Sequence, residues 1–138
     1  MENYLQVLEE SLYKKLDVLG RIETLCARQE QILSEEIVSE EAFDSSIEKK
    51  GVLIDELAKL DEGFETLYGH IKGQIAEGKE RYKAQIASLQ KKIAEVTEKS
   101  VAIQAQEARN KNLAENYFAK AREDLKKNRK SSRAALDY

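Results

Sequence analysis

The apolar residues of this chain recur at steps of three and four almost from end to end, and no proline interrupts them. Such spacing lines up side chains on one face of a helix with 3.6 residues per turn, whereas a half-buried strand needs alternation. Helices packed along their stripes are therefore the folds open to it. The first stripe runs Leu5, Leu8, Leu12, Leu16, Leu19, Ile22, Cys26 and Leu33 and predicts an amphipathic helix over about residues 3–34. Its steps of four at Leu8, Leu12 and Leu16 imitate an eleven-residue repeat, which favours a straight arm over a uniform supercoil. Gly20 lies inside the stripe at a penalty of about 1 kcal/mol relative to Ala, and implies close approach of a facing helix.

Ser34-Glu35-Glu36-Ile37-Val38 breaks the pattern, and Ser39 with Glu40 and Glu41 offers a capping oxygen and negative charge to a new first turn. So short a connection predicts that the second helix returns antiparallel to the first. Its stripe is Phe43, Ile47, Ile54, Leu57, Leu60, Phe64, Leu67, Ile71 and Ile75. Glycines then cluster at Gly63, Gly69, Gly73 and Gly78 while the apolar phase runs on. Two readings follow: one long helix over about 40–105 with a weak point at 69–78, or a break there that yields four shorter helices. The first is preferred, because Tyr82, Ile86, Leu89, Ile93, Val96 and Ile103 sustain a heptad with a Glu- and Lys-rich exterior.

Glu107 and Asn110 are polar intrusions into that seam, where the packed part is expected to end or turn. Leu113, Tyr117, Phe118, Ala121 and Leu125 predict a C-terminal helix over about 108–131, followed by a short apolar tail at 134–138. The expected fold is all-α and a single domain over 1–138. It is an elongated antiparallel helical hairpin or coiled coil with a long second helix and a C-terminal third helix, and the alternative is a four-helix bundle.

The chemistry of the side chains excludes more than it names. Charged residues make up 36% of the chain and the net charge is −3, but the sign is uneven. Residues 1–65 carry 17 acidic and 7 basic side chains, and residues 66–138 carry 9 and 16. The run Lys126-Lys127-Asn128-Arg129-Lys130-Ser131-Ser132-Arg133 reads as a solvated helix end that suits the macrodipole, so no nucleic-acid partner is expected. The single cysteine, Cys26, has no disulfide partner and sits on the apolar stripe as a small hydrophobe. His70 has no His or Cys three or four residues away, so no metal site is expected. Glu9-Glu10, Glu35-Glu36 and Glu40-Glu41 are adjacent pairs that point apart on a helix and cannot share a proton. An enzyme is not expected, nor a cofactor. Met1-Glu2-Asn3-Tyr4 opens without a basic segment leading to an apolar stretch, and no run approaches the ~20 apolar residues of a membrane span. A cytoplasmic location without membrane insertion is the expectation.

Two helices cannot bury all of these stripes, and the surplus points to another helix as ligand. The segments Ser39-Glu40-Glu41-Ala42-Phe43, Ile47-Glu48-Lys49-Lys50, Leu53-Ile54-Asp55-Glu56-Leu57 and Leu60-Asp61-Glu62-Gly63-Phe64 resemble flagellar export chaperones of the FlgN type. Tyr4-Leu5-Gln6-Val7-Leu8 and Leu16-Asp17-Val18-Leu19 look like that family's first helix, while Glu98-Lys99-Ser100-Val101-Ala102-Ile103-Gln104 and Ala134-Ala135-Leu136-Asp137-Tyr138 look like its clostridial versions. The resemblance is strongest over residues 1–68. It implies a type III secretion chaperone that binds the terminal helices of hook-associated (hook-filament junction) proteins, prevents premature assembly and delivers them to the flagellar export apparatus. It also implies a client site toward the C-terminus, on Leu113, Tyr117, Phe118, Leu125, Leu136 and Tyr138. The competing reading of this last stripe is that it packs onto the second helix. Rival functions are a structural coiled coil that self-associates, for example as an antiparallel homodimer through the heptad Tyr82 to Ile103, and a basic-tailed adaptor or regulator.

Overall fold

The computed structural model describes residues 2–137, with side chains through Arg129. Among the described residues there are three helices and no strand: α1 is Glu2–Leu33, α2 is Glu40–Glu77 and α3 is Lys83–Asp137. The first connection follows the capping argument. The Ser39 hydroxyl accepts a hydrogen bond from the Ala42 backbone N–H at 3.2 Å, which satisfies one of the orphan donors of the new helix.

The second connection departs from expectation. No helix runs over 40–105; the chain reverses through a turn at 78–82. Gly69 and Gly73 lie inside an unbroken α2, and only Gly78, the last of the cluster, is a terminator. Its N–H donates to the Gln74 carbonyl at 2.9 Å, and the Tyr82 ring lies against it so closely that an added Cβ would sit 2.8 Å from two ring carbons. Burial explains why the chain turns here. A straight helix would leave the Tyr82, Leu89 and Ile103 stripe facing water, whereas reversal sinks all three to 7–8% exposure. Each such residue contributes roughly 1.5–3 kcal/mol when buried, more than the helical hydrogen bonds given up at one turn.

α1 lies between the other two. Lys15 pairs with Asp61, and the Lys50 ammonium donates to Gln29 at 2.9 Å, so α2 runs antiparallel to α1. Glu9 meets Ser88 and Lys92 near one end, and Cys26 and Gln29 meet Glu107 and Asn110 near the other, so α3 runs parallel to α1. No Cα of α2 approaches one of α3 within 8 Å among the described residues, so the two touch only through side chains. The burial pattern reflects this. α1 has eleven buried residues, whereas α2 has only Ser46 and Ile71.

The α1 seam is a stricter heptad than the leucines alone implied. Its buried members Leu5, Leu8, Leu12, Lys15, Leu19, Ile22, Cys26, Gln29 and Leu33 alternate threes and fours, and Leu16 is only half-buried. Lys15 can occupy the seam because its aliphatic stem packs there, its ammonium 4.6 Å over the Phe64 ring and paired with Asp61. Gly20 admits no close helix: a Cβ there would meet only the Lys99 Nζ, at 3.9 Å.

The expected break near residue 107 is absent as well, and α3 absorbs both the separate 108–131 helix and the tail through Asp137. Asn110 is buried at 4% exposure, and its polar atoms are all engaged. Its side-chain N–H donates to the Cys26 carbonyl at 2.7 Å and toward Gln29 Oε1 at 3.4 Å, and its Oδ1 accepts from Gln106 at 2.9 Å. Lys50 adds a 3.0 Å ion pair to Glu107. Each helix thus contributes to one polar layer. Such a layer inside a seam sets register, because slipping by a turn would strand buried amide groups.

Candidate partner-binding surfaces

The six residues assigned to a client site divide into those that pack and those that do not. Leu113 and Tyr117 are half-buried, and the Tyr117 hydroxyl donates to Glu40 at 3.1 Å. Burial, and then the Glu40 carboxylate that accepts its proton, push the Tyr117 phenol up. Phe118 meets Phe43 edge-on with ring centroids 6.3 Å apart, and Tyr117 at 5.1 Å. These three aromatics form the last joint between α2 and α3. Phe118 nevertheless keeps 39% of its surface exposed, and Leu125, seven residues on along the same face, keeps 54%. Leu136 lies in the last turns of α3 with its side chain outside the described residues, and Tyr138 lies outside them altogether.

Glu40, the first residue of α2, stands opposite Tyr117, so α3 continues past both other helices. From Tyr117 to Asp137 it extends about 30 Å at 1.5 Å per residue. The described side chains from 119 to 129 are all exposed, with Leu125 flanked by Arg122 and Arg129 at the i−3 and i+4 positions of its own face. The C-terminal stripe is thus neither wholly packed on α2 nor wholly free: it is half-buried at Leu113 and Tyr117 and, among the described side chains, exposed from Phe118 to Arg129.

At the opposite end lies a second surface, apart from the C-terminal stripe. An open groove of about 850 Å³ runs between the C-terminal half of α2 and the first turns of α3, with Leu8 of α1 at its floor. Phe64 and Tyr68, stacked with centroids 6.3 Å apart, form one wall with Ile75; Ile86, Leu89 and Ile93 form the other. Tyr68 is 47% and Ile93 42% exposed. The signal was in the width of the stripes. Tyr68 follows Leu67 of the α2 stripe, and Ile86 and Ile93, though members of the α3 heptad, are not buried with Tyr82, Leu89 and Ile103, the mark of a helix that faces two neighbours instead of one.

The ionisable groups are arranged for pairing between helices. Lys92 reaches Glu9 and Ser88, each at 3.0 Å, and lies 4.6 Å over the Tyr13 ring. The bonds from Lys92 and Ser88 hold the Glu9 carboxyl below its usual range, and the bond to Glu9 holds the Lys92 ammonium above its own. Burial pushes the Cys26 thiol up, and its S–H points toward Glu107 at 3.8 Å. His70 is exposed on α2. Among the described residues no helix is long and apolar enough to cross a membrane. No family model, curated protein or solved structure matches this chain.

Proposed function

We propose that the chain is a cytoplasmic type III export chaperone of the flagellar kind, which holds the amphipathic terminal helices of hook-associated proteins until they are passed to the export apparatus. The observation that supports this most is the run of α3 beyond the end of the other helices, with Phe118 and Leu125 exposed on one face. A helix left without neighbours while keeping an apolar stripe is a surface for a second helix, and reversible masking of polymerising helices needs such a surface. We take the body as an elongated coiled coil whose antiparallel α2–α3 hairpin carries this arm. The link to flagellar clients rests on the resemblance of residues 1–68.

The test is a pull-down with candidate hook-associated proteins, intact and lacking their terminal helices. Capture of the intact proteins only is expected, and equal capture of both would defeat the reading. Tyr117→Ala with Phe118→Ala should weaken capture about tenfold or more with helicity retained, since buried aromatic anchors carry most of such an interface. Unchanged affinity by calorimetry would remove them from the site.

Self-association is the second reading, because the same exposed stripe could pair with its copy. Tyr82, Leu89 and Ile103 of that heptad are taken up by α1, whereas Ile93 of the heptad and Leu125 of the arm stay exposed to a second copy. A sedimentation mass that grows with concentration in the absence of client would favour it.

A further inference from the structure

We infer that the groove between α2 and α3 at the turn end of the body is a docking site for an amphipathic helix of another protein that carries acidic residues beside its apolar stripe. It goes beyond the reading of the α3 arm and does not depend on it, since the two surfaces lie at opposite ends. The dimensions fit a helix. Along α2 the groove spans residues 64–76, about 18 Å or three helical turns at 1.5 Å per residue. α2 and α3 stand too far apart to pack backbone on backbone, and α1 fills the cleft from one side only. An incoming helix would complete a fourth side over Tyr68, Ile75, Ile86 and Ile93.

Charge selects the occupant. Lys72, Lys79 and Lys83 line the groove against one acid, Glu80. An apolar stripe flanked by Glu or Asp would meet these ammonium groups on both walls, with α2 supplying Lys72 and the turn and α3 supplying Lys79 and Lys83. The exposed arm of a second copy is disfavoured by the same rule. It brings Lys120, Arg122, Lys126, Lys127 and Arg129 against Glu123 and Asp124, so like charges would face each other.

The experiment uses the full chain and two fluorescent synthetic helical peptides of about four turns. Both carry leucines at i, i+3, i+7 and i+10, one flanked by glutamates and the other by lysines. Anisotropy should show the glutamate peptide binding at least tenfold more tightly, and raising salt should weaken it severalfold. Ile93→Asp and, separately, the triple variant Lys72→Glu, Lys79→Glu, Lys83→Glu should each lower affinity about tenfold, at exposed positions whose change leaves the helical circular dichroism intact. Val101→Asp, at a 60% exposed residue outside the groove, should bind as the parent does. Equal binding of the two peptides, or indifference to both Ile93→Asp and the triple variant, overturns the proposal. So does a homodimer of the parent chain that Ile93→Asp dissociates, which would make a second copy the occupant.

Discussion

Gly78→Ala tests whether one close contact decides where this chain turns. The added methyl would lie 2.8 Å from Cδ2 and Cε2 of Tyr82 and 3.2 Å from the Gln74 carbonyl oxygen. Carbon atoms prefer about 3.5–4.0 Å, so the ring has to retreat by close to an ångström. It has little room to do so. Tyr82 is 8% exposed and belongs to the cluster formed with Leu5, Leu8, Leu12, Ile71 and Leu89. Forcing such a side chain out of place is destabilising by about 1–3 kcal/mol. Alanine recovers part of this, because its unfolded chain has less freedom to lose, by about 0.4–1 kcal/mol. The net expectation is a loss of about 1–2 kcal/mol, read as a lower urea midpoint at unchanged slope by circular dichroism. Gly69→Ala and Gly73→Ala supply the contrast. Nothing lies within 4 Å of a Cβ at either position, and both sit inside α2, so each should stabilise by about 0.5–1 kcal/mol. If Gly78→Ala raises the midpoint as Gly69→Ala does, the close fit of the Tyr82 ring against Gly78 does not fix the place of the turn, and that reasoning is refuted.

Three further outcomes follow from the same geometry. Asn110→Ala removes the bonds to Cys26, Gln29 and Gln106 and should destabilise by about 1–3 kcal/mol in urea; a change near zero would mean that water replaces the amide. Cys26 should react with a thiol reagent at pH 8 about a hundredfold more slowly in the native chain than in denaturant, because burial both shields it and raises its pKa; labelling at the unfolded rate would show that the middle of the seam opens freely. Glu9 is held below the usual carboxyl range when folded, so its contribution is full at neutral pH and disappears as pH falls through that lowered value. Lys92, raised when folded, keeps its share at neutral pH and loses it only above the usual lysine range. Glu9→Gln should therefore be less stable than the parent near pH 7 and match it in acid, and a parallel pair of stability-against-pH curves would contradict the pairing.

What was legible in the sequence is whatever depends on neighbours along one helix. The three-four stripes located α1, the Ser39 cap located the start of α2, and the place of Cys26 on its stripe foretold its burial. These are local matters of phase and capping, and a residue's position on a helical face follows from its number alone. The stripes also announced a surplus of apolar surface, though not where it would be left open.

Tertiary packing decided the rest. Periodicity carried the second stripe through the glycines, since Gly lowers helix propensity by only about 1 kcal/mol and does not forbid the helix. The turn at 78–82 exists because reversal lets Tyr82, Leu89 and Ile103 bury against α1, a gain visible only once the partner surface is in place. Asn110 and Glu107 look like the end of a seam in isolation, yet across from Gln29, Lys50 and the Cys26 carbonyl they form a satisfied layer and the helix runs on. The same holds for the candidate sites. Tyr117 and Phe118 close the joint and Leu125 is left at the surface because α2 begins at Glu40, and Tyr68 faces Ile93 across a groove because α1 fills only one side of the cleft. Helical phase is a property of the chain by itself, whereas which face stays uncovered depends on how long each neighbour is and where it stops.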